Sequence, residues 1–419
     1  MVEPIHIGQP VEHPTYYFIR DPSKVITPKI FDSLVVAASY YPTGFEYKDS
    51  FQSGNSTGRE VLIDKVPGGL YRFPHGLLDD ICAVLDAYDL DYTISKLPLP
   101  DLGHLGLKWN KKFELFADQK SAVKALMHDD GGVLCIPTGG GKTISALYTI
   151  YSYNTPALIC VNRRELLFQW RQAIREVLDY TPGIVGGGEE DWADITVAMI
   201  QTLRIKPIPE RARFNILCID EAHHTPAETL YSVAMRSRAP IKIGLTATPR
   251  REDGADIKMR GALGPIVYKI TPVDMIQAGR IAQPHFVFLK APQPEEPIKL
   301  NDRYATIYSK GIVRNRPRNL LVARTAFKYL KEGKSVYVHV DQVKHGKLLS
   351  SLIPDAKFIY GSSPADLRRD VIRKFKDGQT KCLISTLLGE GVDMPLMDVI
   401  ILASGRKSEI STIQKMKRN

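Results

Sequence analysis

From about Phe113 onward the chain alternates short, unbroken apolar runs with longer stretches of helical period. The runs are GGVLCIP, ALICV, ITVAMI, FNILCID and IKIGLTAT, and beyond a Pro-rich joint SVYVHV, FIYG, KCLIST and VIILAS. Between them lie a helix from Thr143 to about Tyr153 and the amphipathic segment ELLFQWRQAIREVL. Apolar runs without strict alternation, separated by helices, predict parallel strands buried on both faces. Two such series, divided by the joint APQPEEPIKL, predict two α/β lobes with a cleft between them.

Residues up to about Pro100 read differently. Short β-rich runs (YYFIR, SLVVAASYY, EVLID) accompany one amphipathic helix, HGLLDDICAVLDAYDL, from His75 to Leu90. The Pro/Gly-rich stretch KLPLPDLGHLG follows as a linker. The expected division is therefore an N-terminal accessory module over 1–100, a first lobe over 107–288 and a second over 296–419. The module carries no chemical motif. Its aromatics Tyr16, Tyr17, Tyr40 and Tyr41 are expected as core or cross-strand pairs, the commoner use of such residues.

Composition narrows the class. The chain has 419 residues, 44% hydrophobic and 24% charged, enough for roughly three domains at about 150 residues each. A net charge of +10 and a pI near 9.1 favour a polyanionic partner. No apolar run reaches the length of a membrane span, and the N-terminus lacks the basic start and apolar core of a secretion signal. The 5 cysteines stand singly inside apolar runs, without a CxxC pair, as reduced thiols of a cytoplasmic protein do.

Pro137-Thr138-Gly139-Gly140-Gly141-Lys142-Thr143 sits between the strand VLCI and the helix ISALYTIYSY. A phosphate cradle needs that setting: glycines let backbone N–H groups approach phosphate, and the helix start adds its positive dipole end. Lys142 is expected on the β/γ-phosphates and the Thr143 hydroxyl on Mg²⁺. Ile136 stands where the strict pattern has its first glycine.

FNILCIDEAHHTPAE, from Phe214 to Glu228, ends a buried strand on two acids and two histidines. A zinc site would need four ligands. Cys218 belongs to the strand, and no second cysteine or histidine cluster lies nearby in sequence. The strand end instead shares an edge with the phosphate loop, so Asp220 is expected to hold Mg²⁺ through water and Glu221 to orient and deprotonate the attacking water. His224 reads equally well as a hydrogen-bonded surface residue.

On these motifs the chain resembles the superfamily 2 helicases of the DEAH kind, from about Phe113 to its C-terminus. The resemblance implies two RecA-like parallel-sheet lobes in tandem, here behind a small N-terminal α/β domain over 1–100 that contacts duplex or junction DNA. IPTGGGKT corresponds to motif I and Asp220–His223 to motif II, with His223 as the coupling histidine. Gln119 falls where the family recognises adenine, and Thr246, Ala247 and Thr248 resemble motif III. ISTLLGEGVDMP resembles motif V, with Gly391 and Asp393 facing the nucleotide. Asn162, Arg163 and Arg164, the backbone amides of Gly186 and Gly187, and Gln201 with Thr202 fall where the family grips the nucleic-acid backbone. Taken alone, VNRREL would read as an ordinary solvated helix start.

The segment from YSKGIVRNRPRN onward is similar to the phage branch-migration helicases related to UvsW, and more distantly to XPB and RecG. Arg314, Arg316 and Arg318 either meet DNA or form an exposed helix start. The family's motif VI, Gln-x-x-Gly-Arg-x-x-Arg, is matched incompletely by STIQKMKRN: Gln414 fits, Lys417 replaces the glycine and Arg418 falls on the first arginine. The expectation is a truncated or gapped motif rather than lost hydrolysis.

The resemblance implies an ATP- and Mg²⁺-dependent DNA motor; a monomer is expected, although the sequence itself does not give the oligomeric state. It would act on forked or branched DNA in recombination, replication or repair, in the cytoplasm of a phage-infected host. Two alternatives stand beside it: an RNA-directed ATPase of the same superfamily, and a nucleotide-binding clamp without hydrolysis. A P-loop kinase would leave the second sheet unexplained.

Overall fold

The computed structural model describes the chain apart from residues 1–2, 12–13, 48, 54–55, 100–102, 210–212, 225–226, 249–254, 300, 388–396 and 406–419. In the N-terminal module a period of two decides the pairing. Ile5 and Ile7 on β1 (Ile5–Gly8), with Tyr17 and Ile19 on β2 (Tyr16–Arg20), are buried, while their neighbours are not. With β3 (Asp64–Val66), β4 (Leu70–Pro74) and β5 (Tyr92–Ser95) they form a sheet of order β3-β4-β2-β1-β5, in which only β5 runs parallel to its neighbour. Two helices, α1 (Pro28–Ala37) and α2 (Leu78–Ala87), bury Ile30, Leu34, Ile81 and Leu85 in the same core.

Part of SLVVAASYY, expected as a β-rich run, is helical. Thr27 caps α1 by accepting the Ile30 N–H at 3.4 Å, and Pro28 opens its first turn. These local start signals, together with burial of Leu34, outweigh the β preference of Val35 and Val36. Only Ser39–Tyr40 is extended, paired with Glu60–Val61. Tyr17 stacks on Phe73 of the neighbouring strand at 5.8 Å, and the Arg72 guanidinium lies 4.9 Å from the Tyr16 ring. Both tyrosines are thus cross-strand partners.

The first series of apolar runs builds an eight-stranded sheet. Its elements in chain order are α3 (Ala117–His128), β6 (Gly131–Cys135), α4 (Lys142–Tyr153), β7 (Ala157–Val161), α5 (Arg164–Leu178), β8 (Gly183–Gly186) and β9 (Glu189–Glu190). There follow β10 (Ile195–Met199), α6 (Ile200–Ile205), β11 (Ile216–Ile219), α7 (Ala227–Arg236), β12 (Ile241–Thr246), α8 (Asp256–Leu263) and β13 (Ile266–Lys269). The order is β9-β8-β10-β7-β11-β12-β6-β13, parallel throughout except for the β9 edge. One face packs Leu147, Ile150, Trp170 and Ile174 from α4 and α5; the other packs Leu203, Leu230, Val233 and Met259 from α6, α7 and α8. This two-sided burial explains why the strands are apolar without alternation.

Module and first lobe form one compact unit, Met1–Gln277. Their contact falls on α7 and α8. Gly76 approaches α8 so closely that a Cβ there would lie 2.0 Å from the Arg260 carbonyl oxygen and 2.9 Å from the Gly264 nitrogen. Arg260 pairs with Asp80 of α2 at 3.0 Å. The side chain of Lys258, only 7% exposed, bonds Glu60 of the module at 3.0 Å and also pairs with Glu228 of α7.

The second unit, Ala278–Asn419, holds α9 (Arg316–Lys331), β14 (Val336–His339), α10 (Val343–Leu352), β15 (Lys357–Ile359), α11 (Ala365–Lys376), β16 (Cys382–Ser385) and β17 (Val399–Leu402). Its parallel sheet has the order β15-β16-β14-β17. Asn315 caps α9 by accepting the Arg318 N–H at 3.0 Å. No helix among the described residues is long and apolar enough to cross a membrane.

A methyl group at Gly76 would meet backbone rather than a yielding side chain. Gly76→Ala is therefore expected to lower unfolding free energy by about 1–3 kcal/mol, the usual effect of overpacking. Gly8→Ala, whose Cβ would stand 4.0 Å from its nearest neighbour, serves as the control, with a change within about 0.5 kcal/mol. Denaturant unfolding of both variants measures the difference.

Candidate nucleotide site and nucleic-acid face

The phosphate loop leaves β6 at its C-terminal end. The Ile136 N–H donates to the Thr246 carbonyl at 2.9 Å, tying the loop to β12, and the Gly140 N–H closes a turn onto the Pro137 carbonyl at 3.0 Å. Gly139 and Gly141 take φ of 80° and 84°, the left-handed region that disfavours side chains. Gly140 is required by space, since its Cβ would lie 2.3 Å from Ile136 Cγ2. Pro137 is buried, Thr138 and Gly139 are exposed, and Thr143 lies half-buried in the first turn of α4. Lys142 is 9% exposed, and its Nζ donates to the Ile136 carbonyl at 3.1 Å.

Gln119 braces this loop against α3. Its Oε1 accepts the Phe116 N–H at 3.0 Å and its Nε2 donates to the Gly140 carbonyl at 3.3 Å. Each end of an amide keeps one further lone pair or N–H beyond these bonds.

Two places along the sheet, β11 delivers the acids. The Asp220 N–H donates to the Cys160 carbonyl at 2.9 Å, holding Asp220 at the strand end. Its Oδ2 accepts the Trp170 Nε1–H at 2.8 Å, and its Oδ1 accepts the Glu221 N–H at 2.8 Å. Burial, followed by the neighbouring Glu221 charge, pushes the Asp220 carboxyl up to about 6, against the pull of Trp170 and Lys142. Glu221 holds φ of 46°, a strained conformation for a residue with a Cβ and one that concentrates at functional sites.

Glu221 also lies at the centre of a polar chain. Its Oε1 is 3.9 Å from Lys142 Nζ and its Oε2 is 3.5 Å from His223 Nδ1. His223 Nδ1 in turn lies 2.8 Å from Thr246 Oγ1, whose single proton goes to the Thr248 carbonyl at 2.6 Å. The bond to Thr246 therefore requires the proton on His223 Nδ1, so the imidazole N–H faces both Glu221 and Thr246. Cys218 is fully buried in β11, with its thiol pushed far up by burial, and no cluster of metal-binding side chains occurs among the described residues. What the strand end offers is carboxylate oxygen in a low-dielectric place. That donor chemistry fits a hard cation such as Mg²⁺, for which Asp220, with Thr143 of the phosphate loop, is the candidate ligand.

The candidate backbone-gripping residues of the first lobe come together on β7, β10 and β8, which are neighbours in the sheet. Gln201 Nε2 donates to the Asn162 carbonyl at 3.0 Å. A Cβ on Gly186 would stand 3.2 Å from Thr202 Oγ1, and one on Gly187 would stand 3.2 Å from Arg164 Nε. Arg163 occupies the cap position of α5, and the Arg164 guanidinium lies 5.9 Å from the Phe168 ring. In the second unit Arg314 is exposed and paired with Glu296 at 3.0 Å. Arg316 is exposed beside Arg324 and Leu320, whereas Arg318 is half-buried with Nη1 in the interior. Gly391, Asp393, Gln414, Lys417 and Arg418 lie outside the described residues.

Sequence reasoning missed Trp170, which reads as one apolar position of an amphipathic helix. The available signal was general: a buried indole N–H needs an acceptor. The acceptor, Asp220, is 50 residues away in sequence.

The family model described as "Type III restriction enzyme, res subunit" matches residues 112–251, and that described as "Helicase conserved C-terminal domain" matches residues 321–419. The DNA 3'-5' translocase XPB2 of Sulfurisphaera tokodaii is 28% identical over 370 residues, which are 78% of this chain and 81% of that one. The putative DNA 3'-5' helicase Rad25 of Halobacterium salinarum is 30% identical over 302 residues, 68% of this chain but 48% of that one, so the chain spans about half its length. The crystal structure of T4 UvsW has a similar fold, with a TM-score of 0.54 at 19% identity, covering 99% of this chain and 87% of that one.

The raised Asp220 value has a measurable consequence. Between pH 3.8 and about 6 the folded state binds a proton that the unfolded state releases, so this group's contribution to nucleotide-free stability falls as pH rises through that window. Asp220→Asn removes this titration, although its NH₂ must then face one of the two N–H donors that the carboxylate accepts. Wild type is therefore expected to lose up to about 3 kcal/mol more than the variant between pH 4 and pH 7.5. Urea unfolding of both proteins without nucleotide at the two pH values checks it.

Proposed function

The chain belongs to the superfamily 2 helicases, and from that premise we propose that it is an ATP-driven DNA translocase that remodels forked or branched DNA. The observation that carries this reading is a shared sheet edge. The phosphate loop, the Asp220–Glu221 pair and the Asn162–Gly186–Gln201 group all follow the C-terminal ends of strands in one parallel sheet. α/β sheets place their ligands at that edge.

In the proposed reaction Lys142 exchanges its bond to the Ile136 carbonyl for the β/γ-phosphates of ATP, and the backbone amides of the loop receive the remaining phosphate charge. Thr143 and Asp220 would hold Mg²⁺, which when bound neutralises phosphate charge and orients the terminal phosphate. Glu221 orients the attacking water and accepts its proton. The His223 N–H steadies the Glu221 carboxylate and reports on it to Thr246 at the end of β12. Gln201, Asn162, Gly186 and Gly187 would grip backbone phosphates, a contact that carries little sequence information. Preference for branched substrates, and use in recombination or repair, are the finer parts of this proposal.

Steady-state ATP hydrolysis tests the reading, measured without nucleic acid and with single-stranded DNA, four-way DNA or matched RNA. Four-way DNA is expected to stimulate most. Glu221→Gln is expected to lower kcat at least about 100-fold, the usual scale for a lost general base, and Lys142→Ala by a similar factor through the lost charge on the phosphates. Glu221→Gln should still bind ATP. Stimulation by RNA alone would replace the DNA assignment, and tight ATP-dependent DNA binding with no hydrolysis would make the chain a clamp.

A further inference from the structure

Trp170 is 2% exposed and lies on α5 in the core of the first lobe. Its indole carries one polar atom, and that atom is directed not at a backbone carbonyl but at Asp220 Oδ2, 2.8 Å away. The second carboxylate oxygen, Oδ1, accepts the Glu221 N–H at 2.8 Å. Each oxygen thus has one donor, and the two donors come from different elements: α5 and the turn that follows β11. Two bonds on opposite oxygens fix both the position and the rotation of the carboxylate plane. A single bond would leave the plane free to turn about its side-chain axis.

We infer that Trp170 is a positioning residue for the metal site: its indole N–H fixes the Asp220 carboxylate so that a remaining Oδ lone pair faces the nucleotide's cation. The inference rests on the reading of Asp220 as a metal ligand. Trp170 touches neither metal nor substrate and acts only through that carboxylate. The competing account is packing alone, in which the large ring fills the core and its N–H merely finds the nearest acceptor. Partners that hydrogen-bond a metal ligand typically contribute 10–100-fold in metal affinity, whereas a packing role would leave metal affinity alone.

The two accounts separate on isosteres. Benzothienylalanine at position 170 preserves the shape of the ring and replaces N–H by sulfur, whereas Trp170→Phe removes both the donor and part of the volume. The probe is a fluorescent, non-hydrolysable ATP analogue, titrated with MgCl₂ on the full chain without DNA, so the readout is binding and not turnover. Both variants are expected to raise the Mg²⁺ half-saturation about tenfold or more while leaving metal-free analogue affinity unchanged. Trp192→Phe, away from the site, should match wild type. The inference is overturned if benzothienylalanine leaves the Mg²⁺ half-saturation at the wild-type value, whatever Trp170→Phe does to stability. A wild-type protein whose analogue binding ignores Mg²⁺ would instead sink the nucleotide-site reading itself. Those two failures cannot be confused.

Discussion

Asp220 and Glu221 place two carboxylates side by side at the end of a fully buried strand, and their desolvation and mutual repulsion shape everything around them. Such a pair is costly unless positive charge or hydrogen-bond donors are arranged about it. The surroundings supply both. Lys142 Nζ stands 3.9 Å from Glu221, His223 turns an N–H toward it, and Trp170 and the Glu221 amide hold the two oxygens of Asp220. The strained φ of Glu221 is part of the same arrangement, since the turn leads the chain directly from one carboxylate to the next. What these groups leave for a ligand to supply is compact positive charge, the character of the Mg²⁺ in the proposed function.

The parallel sheet makes this economical in sequence. β12 lies between β6 and β11, so Thr246 at its end touches both the phosphate loop and the DEAH turn: its carbonyl accepts from Ile136 and its hydroxyl meets His223. On the other side of β11, β7 and β10 carry Asn162 and Gln201 to the same edge. The candidate nucleotide and nucleic-acid groups are thereby set on neighbouring strands of one sheet. The N-terminal module is not loosely appended to it. Gly76 and Lys258 join the module to α7 and α8, the helices that follow the DEAH turn and the Thr246 strand.

Much of this arrangement is legible in the amino-acid sequence. The phosphate loop and the acids are local patterns with a strand ahead of them, and two-sided burial leaves a readable absence of alternation. Asn162, Gly186 and Gln201 stand out only through the motif series, because each alone resembles ordinary polar surface. Other features depend on long-range contact and leave no local trace: the Trp170 bond to Asp220, the inward-facing Nη1 of Arg318, the seating of Gly76 on α8. The first helix escapes a sequence reading for another reason. In SLVVAASYY the β-branched pair dominates the local pattern, whereas the deciding signal, Thr27 ahead of Pro28, lies upstream of it.

In the proposed function, ATP chemistry at this sheet edge drives movement along DNA. The most direct test is displacement of a fluorescent third strand from a DNA triplex, which requires a motor to travel along the duplex. Wild-type protein with Mg–ATP is expected to release the third strand, and Glu221→Gln protein is not. ATP hydrolysis that proceeds on the same DNA while the triplex stays intact would contradict the account.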